Sequence, residues 1–293
     1  MSLQALLATL IWGMSFPLAK LVLLDVGPLT YLVLRNGVGA GLLLVVATVM
    51  GAGRVRTADL GTFFLLAALL IGFHQGVQAF GLVRTTATNS AWLIATAPVF
   101  IAFFARLLLG ERLRLRQWLG MGVGLLGSFV VVTQGKWGAG AFVSAAGIGD
   151  IMVLESAAAW GAYTAAGKGL LSRYMPIAIS AYGLGLGVVL ALPVWLAAGG
   201  VADLARLSAR GWTALLFLSV CGTALAYLLW YRAMQSSPAG VVGAYMFLQP
   251  LVASSLAAVL LGETLTFPTI AGGLIILGGV YLVTWPARPR MKR

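Results

Sequence analysis

Residues 12–20 read WGMSFPLAK and residues 160–168 read WGAYTAAGK, an internal match at an offset of 148. At that same offset Pro28 matches Pro176, Gly37 matches Gly185 and Gly39 matches Gly187. Farther along, Pro98 matches Pro250, Gly110-Glu111 matches Gly262-Glu263, Gly120 matches Gly272 and Gly127 matches Gly279, now at 152. The second copy therefore carries four extra residues, which the long loop near 199–210 can hold.

Breakers and charges divide the chain into ten apolar stretches, at 3–24, 29–50, 59–81, 86–109, 115–134, 149–171, 176–198, 211–233, 238–261 and 267–285. Each is about 20 residues long, the length of a membrane-crossing helix. None shows the ten-residue alternation of a membrane barrel. Composition agrees: 61% of the 293 residues are hydrophobic and 9% are charged, with a mean hydropathy of +1.00. A soluble domain carries roughly 25% charged residues. The expected fold is an all-α membrane protein of ten transmembrane helices. Five helices per copy is an odd number, so the second copy enters the membrane from the opposite side. That predicts two inverted five-helix repeats, residues 1–138 and 139–293. Such a pair has two nearly equivalent conformations, one open to each side, which is the logic of alternating access.

The net charge of +12 sits mostly in short loops and reads as a topology signal rather than a nucleic-acid patch. Alternating the loops puts 13 Lys and Arg on the side of both termini, Arg288, Arg290, Lys292 and Arg293 among them, and 6 on the other. Both termini are therefore expected in the cytoplasm, with the chain multi-pass in the cell (inner) membrane. The first ten residues lack a basic n-region, so they read as the start of the first span rather than as a signal peptide. One cysteine, Cys221, and one histidine, His74, leave no disulfide and no thiolate or His-rich metal site. No cofactor is expected, and the sequence leaves the oligomeric state open.

The stretch 81–132 (GLVRTTATNSAWLIATAPVFIAFFARLLLGERLRLRQWLGMGVGLLGSFVVV) has a mid-helix proline, then LLGE, then a Gly-rich span. It resembles the EamA module of the drug/metabolite transporter superfamily. The second copy, within 232–285, contains LQPLVASSLAAVLLGETLTFPTIAGGLIILGGV and resembles the same module. The aromatic residues and the histidine of the third span are similar to those of YddG-type aromatic amino-acid exporters. The resemblance implies ten helices, cytoplasmic termini, a central cavity between the halves and export of small metabolites.

Polar groups inside spans belong on the bundle interior. His74 and Gln78, four apart on one face, and Trp92 at the start of the fourth span could line one vestibule suited to an aromatic side chain. Trp160 and Tyr163 share a face of the sixth span. Tyr163 breaks the repeat, its counterpart being Ser15, and so is a pocket candidate, whereas Trp12 reads as a packing element of the WG motif. Tyr227, Tyr245 and Gln249 form a second tier. Trp137, Trp212 and Trp285, near span ends, suit an interfacial belt.

Arg35 and Glu155 either pair with each other or hold the carboxylate and ammonium of a zwitterion. An Arg35 free in the cavity would point to anions. Glu111 and Glu263, in the repeated LLGE, suit a structural or gating role, and Lys20 and Lys168 suit snorkelling. Pro98 and Pro250 are candidate hinges or static kinks. Pairs at GxxxG spacing, such as Gly37 with Gly41 and Gly120 with Gly124, suit close helix packing.

The expected function is export of small metabolites, amino acids with aromatic preference, as facilitated diffusion, with the substrate and the lipid bilayer as the only partners implied. The alternative is a broad metabolite or drug exporter coupled to proton antiport. An enzyme is disfavoured: His74 is the sole imidazole base, no GxSxG motif is present, and the seven acids are scattered. No ring of like charges or repeated filter suggests a channel.

Overall fold

A computed structural model describes residues 2–136, 147–264 and 266–284. Among these the regular structure is all helical. Ten helical stretches follow in order: α1 (Leu3–Asp25), α2 (Pro28–Val49), α3 (Thr57–Leu82), α4 (Ala87–Leu109), α5 (Leu115–Val132), α6 (Ile148–Gly169), α7 (Pro176–Ala197), α8 (Ala209–Ser236), α9 (Ala239–Leu261) and α10 (Phe267–Thr284). Seven of them, α1–α4 and α7–α9, are long and apolar enough to cross a membrane. Of the other three, α6 is diluted by Asp150, Glu155 and Lys168, and α5 and α10 are 18 residues long each. Trp137, Trp285, Arg288, Arg290, Lys292 and Arg293 lie outside the described residues. Trp212 stands exposed in the first turn of α8.

Local chemistry sets the ends. The hydroxyls of Ser2, Thr86 and Ser208 accept from the backbone N–H groups of Ala5, Asn89 and Gly211, capping α1, α4 and α8. Pro28 and Pro176, a repeat pair, open α2 and α7, where a missing N–H costs nothing. Gly110 and Gly262 end α4 and α9 in the left-handed region, at φ +67° and +69°. The following Glu111 and Glu263 N–H groups return to the carbonyls of Ala105 and Ala257. That geometry explains the glycine of each LLGE.

The two WG helices occupy equivalent places: α1 packs on α8 and α9, α6 on α3 and α4. Their glycines permit it. A Cβ on Gly13 would stand 2.7 Å from Val252 Cβ, and one on Gly161 2.6 Å from Phe100 Cβ. GxxxG spacing is a less faithful guide, since Gly120 abuts the Gly279 carbonyl of α10 while Gly41 faces nothing within 4 Å.

The two lysines do more than snorkel. Lys168 Nζ donates to Ser237 O at 2.6 Å and pairs with Glu111 at 2.7 Å. The other Glu111 oxygen accepts from the Ala239 N–H at the start of α9. Toward the C-terminal end of α1, Lys20 Nζ donates to Leu82 O and Thr85 O, both at 2.6 Å. There the Glu263 carboxylate accepts from the N–H groups of Ala87 and Thr88 at the start of α4. Each glutamate thus caps a helix of the other sequence copy. The ion pair exists at one end only; Lys20 and Glu263 form none.

Four helices are irregular at mid-length. Ala68–Gly76 in α3 and Leu218–Leu225 in α8 are π-helical. Pro98 and Pro250 sit in the first turn of the second segments of α4 and α9, after a break at Ala95–Thr96 and a 3₁₀ stretch, Ala244–Leu248. The expected mid-helix proline is therefore a restart: the ring needs a position with no N–H partner, and the preceding turn loosens to supply one.

Candidate functional site

The irregular segments surround a cavity of about 40 Å³. Its walls come from α1, α2, α3, α4, α6, α8 and α9. Six sequence-nominated residues line it: Arg35, His74, Gln78, Trp160, Tyr227 and Gln249. Trp12, Phe16, Tyr31, Gln75 and Met246 line it as well.

One wall is aromatic. Trp12 meets Trp160 edge-on at 5.1 Å and Tyr227 at 5.4 Å, and Trp160 meets Tyr227 at 5.7 Å. The T-shaped contacts place ring edges against faces, as ring quadrupoles favour. Both indoles are anchored: Trp12 Nε1 donates to Gly222 O at 2.9 Å, and Trp160 Nε1 to Met246 Sδ at 3.0 Å. Trp12 is therefore both a packing element and a cavity wall. His74 lies 4.9 Å from the Trp160 ring, and its Nδ1 is 3.0 Å from Ser156 O. A carbonyl only accepts, so Nδ1 carries a proton and Nε2 of the neutral ring remains an acceptor.

The cavity also has a polar part. Arg35 Nη1 donates to Tyr31 OH at 2.5 Å and Nε to Thr223 Oγ1 at 3.1 Å. Thr223 belongs to the π segment of α8 and passes its own proton to Leu218 O at 3.0 Å. Beside it Asn36 Nδ2 donates to Gln75 Oε1 at 2.7 Å, and Gln75 Nε2 to Tyr227 OH at 2.6 Å, which fixes the Tyr227 ring.

Arg35 has no acidic partner. The pairing with Glu155 is not formed, because Glu155 is exposed. Ser156, Trp160 and Tyr163 make the buried face of α6, and Glu155 is about 100° away from Ser156 on the wheel. The other six acids are engaged elsewhere. Asp25 accepts from Ser208, Asp59 from Arg173 and Tyr174, Asp150 from Thr85 and the Gly147 N–H, and Asp203 from Thr30 and Arg206. Glu111 and Glu263 are the helix caps described above.

Three more candidates stand apart from the cavity. Trp92 is fully buried in another cluster with Phe247 and Ile276, its Nε1 donating to Ser254 Oγ at 3.1 Å, and Ile94 is the α4 residue that reaches the cavity. Tyr163 lies behind Trp160, between it and Tyr231, at ring separations of 5.4 and 5.9 Å. Tyr245 OH accepts from the Ser2 N–H at 2.8 Å, at the start of α1. Phe16, Ala19 and Tyr31, which sequence reading passed over, did carry a signal. Trp12, Ser15, Phe16 and Ala19 recur at helical spacing on α1, and Tyr31 and Arg35 are one turn apart on α2.

The EamA-like transporter family model matches residues 1–133 and 147–285. An uncharacterized transporter of Archaeoglobus fulgidus is 30% identical over 279 residues, covering 95% of each chain. A probable terminal-alkyne amino-acid exporter of Streptantibioticus cattleyicolor is 29% identical over 280 residues, covering 95% of this chain and 92% of that one. A solved crystal structure aligns with a TM-score of 0.75 at 19% identity, over 97% of this chain and 96% of the other, which speaks to the fold alone. The all-helical membrane architecture and the family match agree: the chain belongs to the EamA-like transporter family, as a membrane transporter and not an enzyme.

Proposed function

We propose that this transporter is a carrier of the cell (inner) membrane that exports small metabolites, amino acids with aromatic preference, by alternating access. In this reading all ten helices cross the bilayer as two inverted five-helix repeats, residues 1–138 and 139–293, with both termini cytoplasmic. The observation that carries the substrate reading is Arg35, a cation without an acidic partner among the described residues, lining one cavity together with Trp12, Trp160 and Tyr227. A guanidinium fork suits a carboxylate, and the aromatic wall suits a flat apolar body. The name of the Streptantibioticus relative supports amino acids as cargo. Equivalent packing of α1 and α6, and reciprocal glutamate caps at the two ends, support the inverted arrangement. Pro98 and Pro250, each after a loosened turn, are the hinges in this scheme.

Ligand pockets run to roughly 300–1,000 Å³, so a cavity of about 40 Å³ must widen before it admits cargo. Facilitated diffusion is favoured over proton antiport, because Glu155 lies off the cavity and leaves His74 as the sole titratable candidate of the pair. The test is uptake of radiolabelled phenylalanine into proteoliposomes, with and without an imposed pH gradient. Saturable uptake competed by aromatic amino acids and indifferent to the gradient is expected. Uptake driven by the gradient moves the mechanism to proton antiport. Absence of any amino-acid uptake by folded protein overturns the substrate reading.

A further inference from the structure

We infer that the cavity ranks its cargo by charge, taking aromatic carboxylates that lack a charged amine in preference to the corresponding zwitterionic amino acids. The inference rests on the reading of the central cavity as the substrate site. Its basis is the charge inventory. Among the described residues one fixed cation, Arg35, lines the cavity and none of the seven acids does. Six acids are held by partners elsewhere and Glu155 is exposed.

The guanidinium is built to receive an anion. Of its five N–H donors, one on Nε and one on Nη1 are taken by Thr223 and Tyr31, and both partners are neutral. The remaining donors include both on Nη2, beside Gly222, where a Cβ would stand only 3.6 Å from that nitrogen. A carboxylate can therefore dock on the fork while Tyr31 and Thr223 hold it in place.

An α-ammonium has no comparable partner. It would sit one bond from the carbon that bears the carboxylate, close to Arg35 and repelled by it. The acceptors within the cavity are neutral: the amide oxygens of Gln78 and Gln249, the imidazole of His74, the Ser15 hydroxyl, and the Tyr31, Gln75 and Tyr227 oxygens already bonded to Arg35, Asn36 and Gln75. Aromatic faces offer some cation–π compensation, but a buried charge needs a counter-charge or a full set of hydrogen bonds. A net anion meets its counter-charge and leaves nothing unpaired.

Three ligands with the same ring separate the terms: 3-phenylpropionate (carboxylate only), phenylalanine (both groups) and phenethylamine (ammonium only). Binding to the purified full chain in detergent is read by calorimetry at pH 7.5. The expected order is 3-phenylpropionate at least about tenfold tighter than phenylalanine, with phenethylamine weakest. Arg35→Gln should remove that preference, and Tyr31→Phe, which keeps the charge, should weaken the anion about threefold. Phenylalanine binding as tightly as 3-phenylpropionate overturns the inference and leaves the cavity reading standing. Failure of all three to bind the folded wild-type protein overturns the cavity reading itself. The wild-type ranking decides the matter even where a variant does not fold.

Discussion

The close contact between α5 and α10 offers a quantitative test of the packing. A Cβ built on Gly127 of α5 would lie 2.6 Å from Gly272 O, 2.7 Å from Ile276 Cγ1 and 2.9 Å from Ile276 N, all on α10. Two of those atoms are backbone and cannot rotate away. Gly127→Ala therefore forces the helices apart by about 0.8 Å, the interval between 2.6 Å and the 3.4 Å where ordinary contact begins. A gap of 0.5–1 Å forfeits roughly a quarter to a half of each facing contact, and overpacking of this kind costs about 1–3 kcal/mol. Alanine's better helix propensity returns about 1 kcal/mol. With clashes against backbone the upper end applies, for a net loss of about 2 kcal/mol. The control is five residues away: Gly122 has nothing within 4 Å, so Gly122→Ala keeps only the propensity gain, about 0.4–1 kcal/mol. Denaturation of the detergent-purified variants, followed by tryptophan fluorescence, should separate them by about 2.5–3 kcal/mol. Equal stabilities would refute the claim that these glycines exist to let α5 and α10 touch.

Trp160→Phe keeps a ring but loses the bond to Met246, and should raise the half-saturation for aromatic cargo about 2–10-fold in an uptake assay. Trp160→Ala, by contrast, removes a fully buried indole and should cost about 3–5 kcal/mol of stability, so its thermal midpoint should fall before its transport can be read. Glu155→Gln should leave uptake within about twofold of wild type, since surface changes stay within about 0.5 kcal/mol; a large loss would return that carboxylate to the cavity. A double-mutant cycle on Glu111 and Lys168 should give a coupling of about 1 kcal/mol, and the same cycle on Glu263 and Lys20, which are not in contact, a smaller one.

The helix boundaries were legible because punctuation in a membrane chain is chemical. Pro28, Gly110, Pro176 and Gly262 stop or start helices through geometry that the residue itself imposes. All ten stretches end within three residues of the positions read from the sequence. Inward faces were harder to read. In water, polarity marks the outside of a helix, whereas a spanning helix is apolar all round and its periodicity is faint. That is why the sequence points Glu155 inward while Ser156 holds the buried face, and points Trp92 to the cavity although Ile94 reaches it. The π segments of α3 and α8 had no visible signature either, since an extra residue per turn changes neither composition nor hydropathy. They shift register by one residue just where Gln75 and Thr223 enter the site, so positions derived from ideal α spacing drift there. Arg35, His74 and Gln78, which line the cavity, stand out because polar groups in an apolar run are conspicuous whatever the spacing.

The unequal bonding of the two WG-helix lysines, Lys20 of α1 and Lys168 of α6, bears on kinetics. Opening the end that holds Lys168 means separating a 2.7 Å ion pair as well as the lysine–carbonyl bond, whereas at the Lys20 end only bonds to Leu82 and Thr85 carbonyls give way. In an alternating-access cycle the two openings are successive barriers on one loop. A passive carrier cannot bias net flux by making one barrier taller, because the equilibrium across the membrane is fixed by concentrations alone. The asymmetry must appear instead in apparent half-saturation and maximal velocity, which would differ for cargo presented from the two faces while their quotient stays the same. A protein whose sequence is doubled would thus be kinetically one-sided.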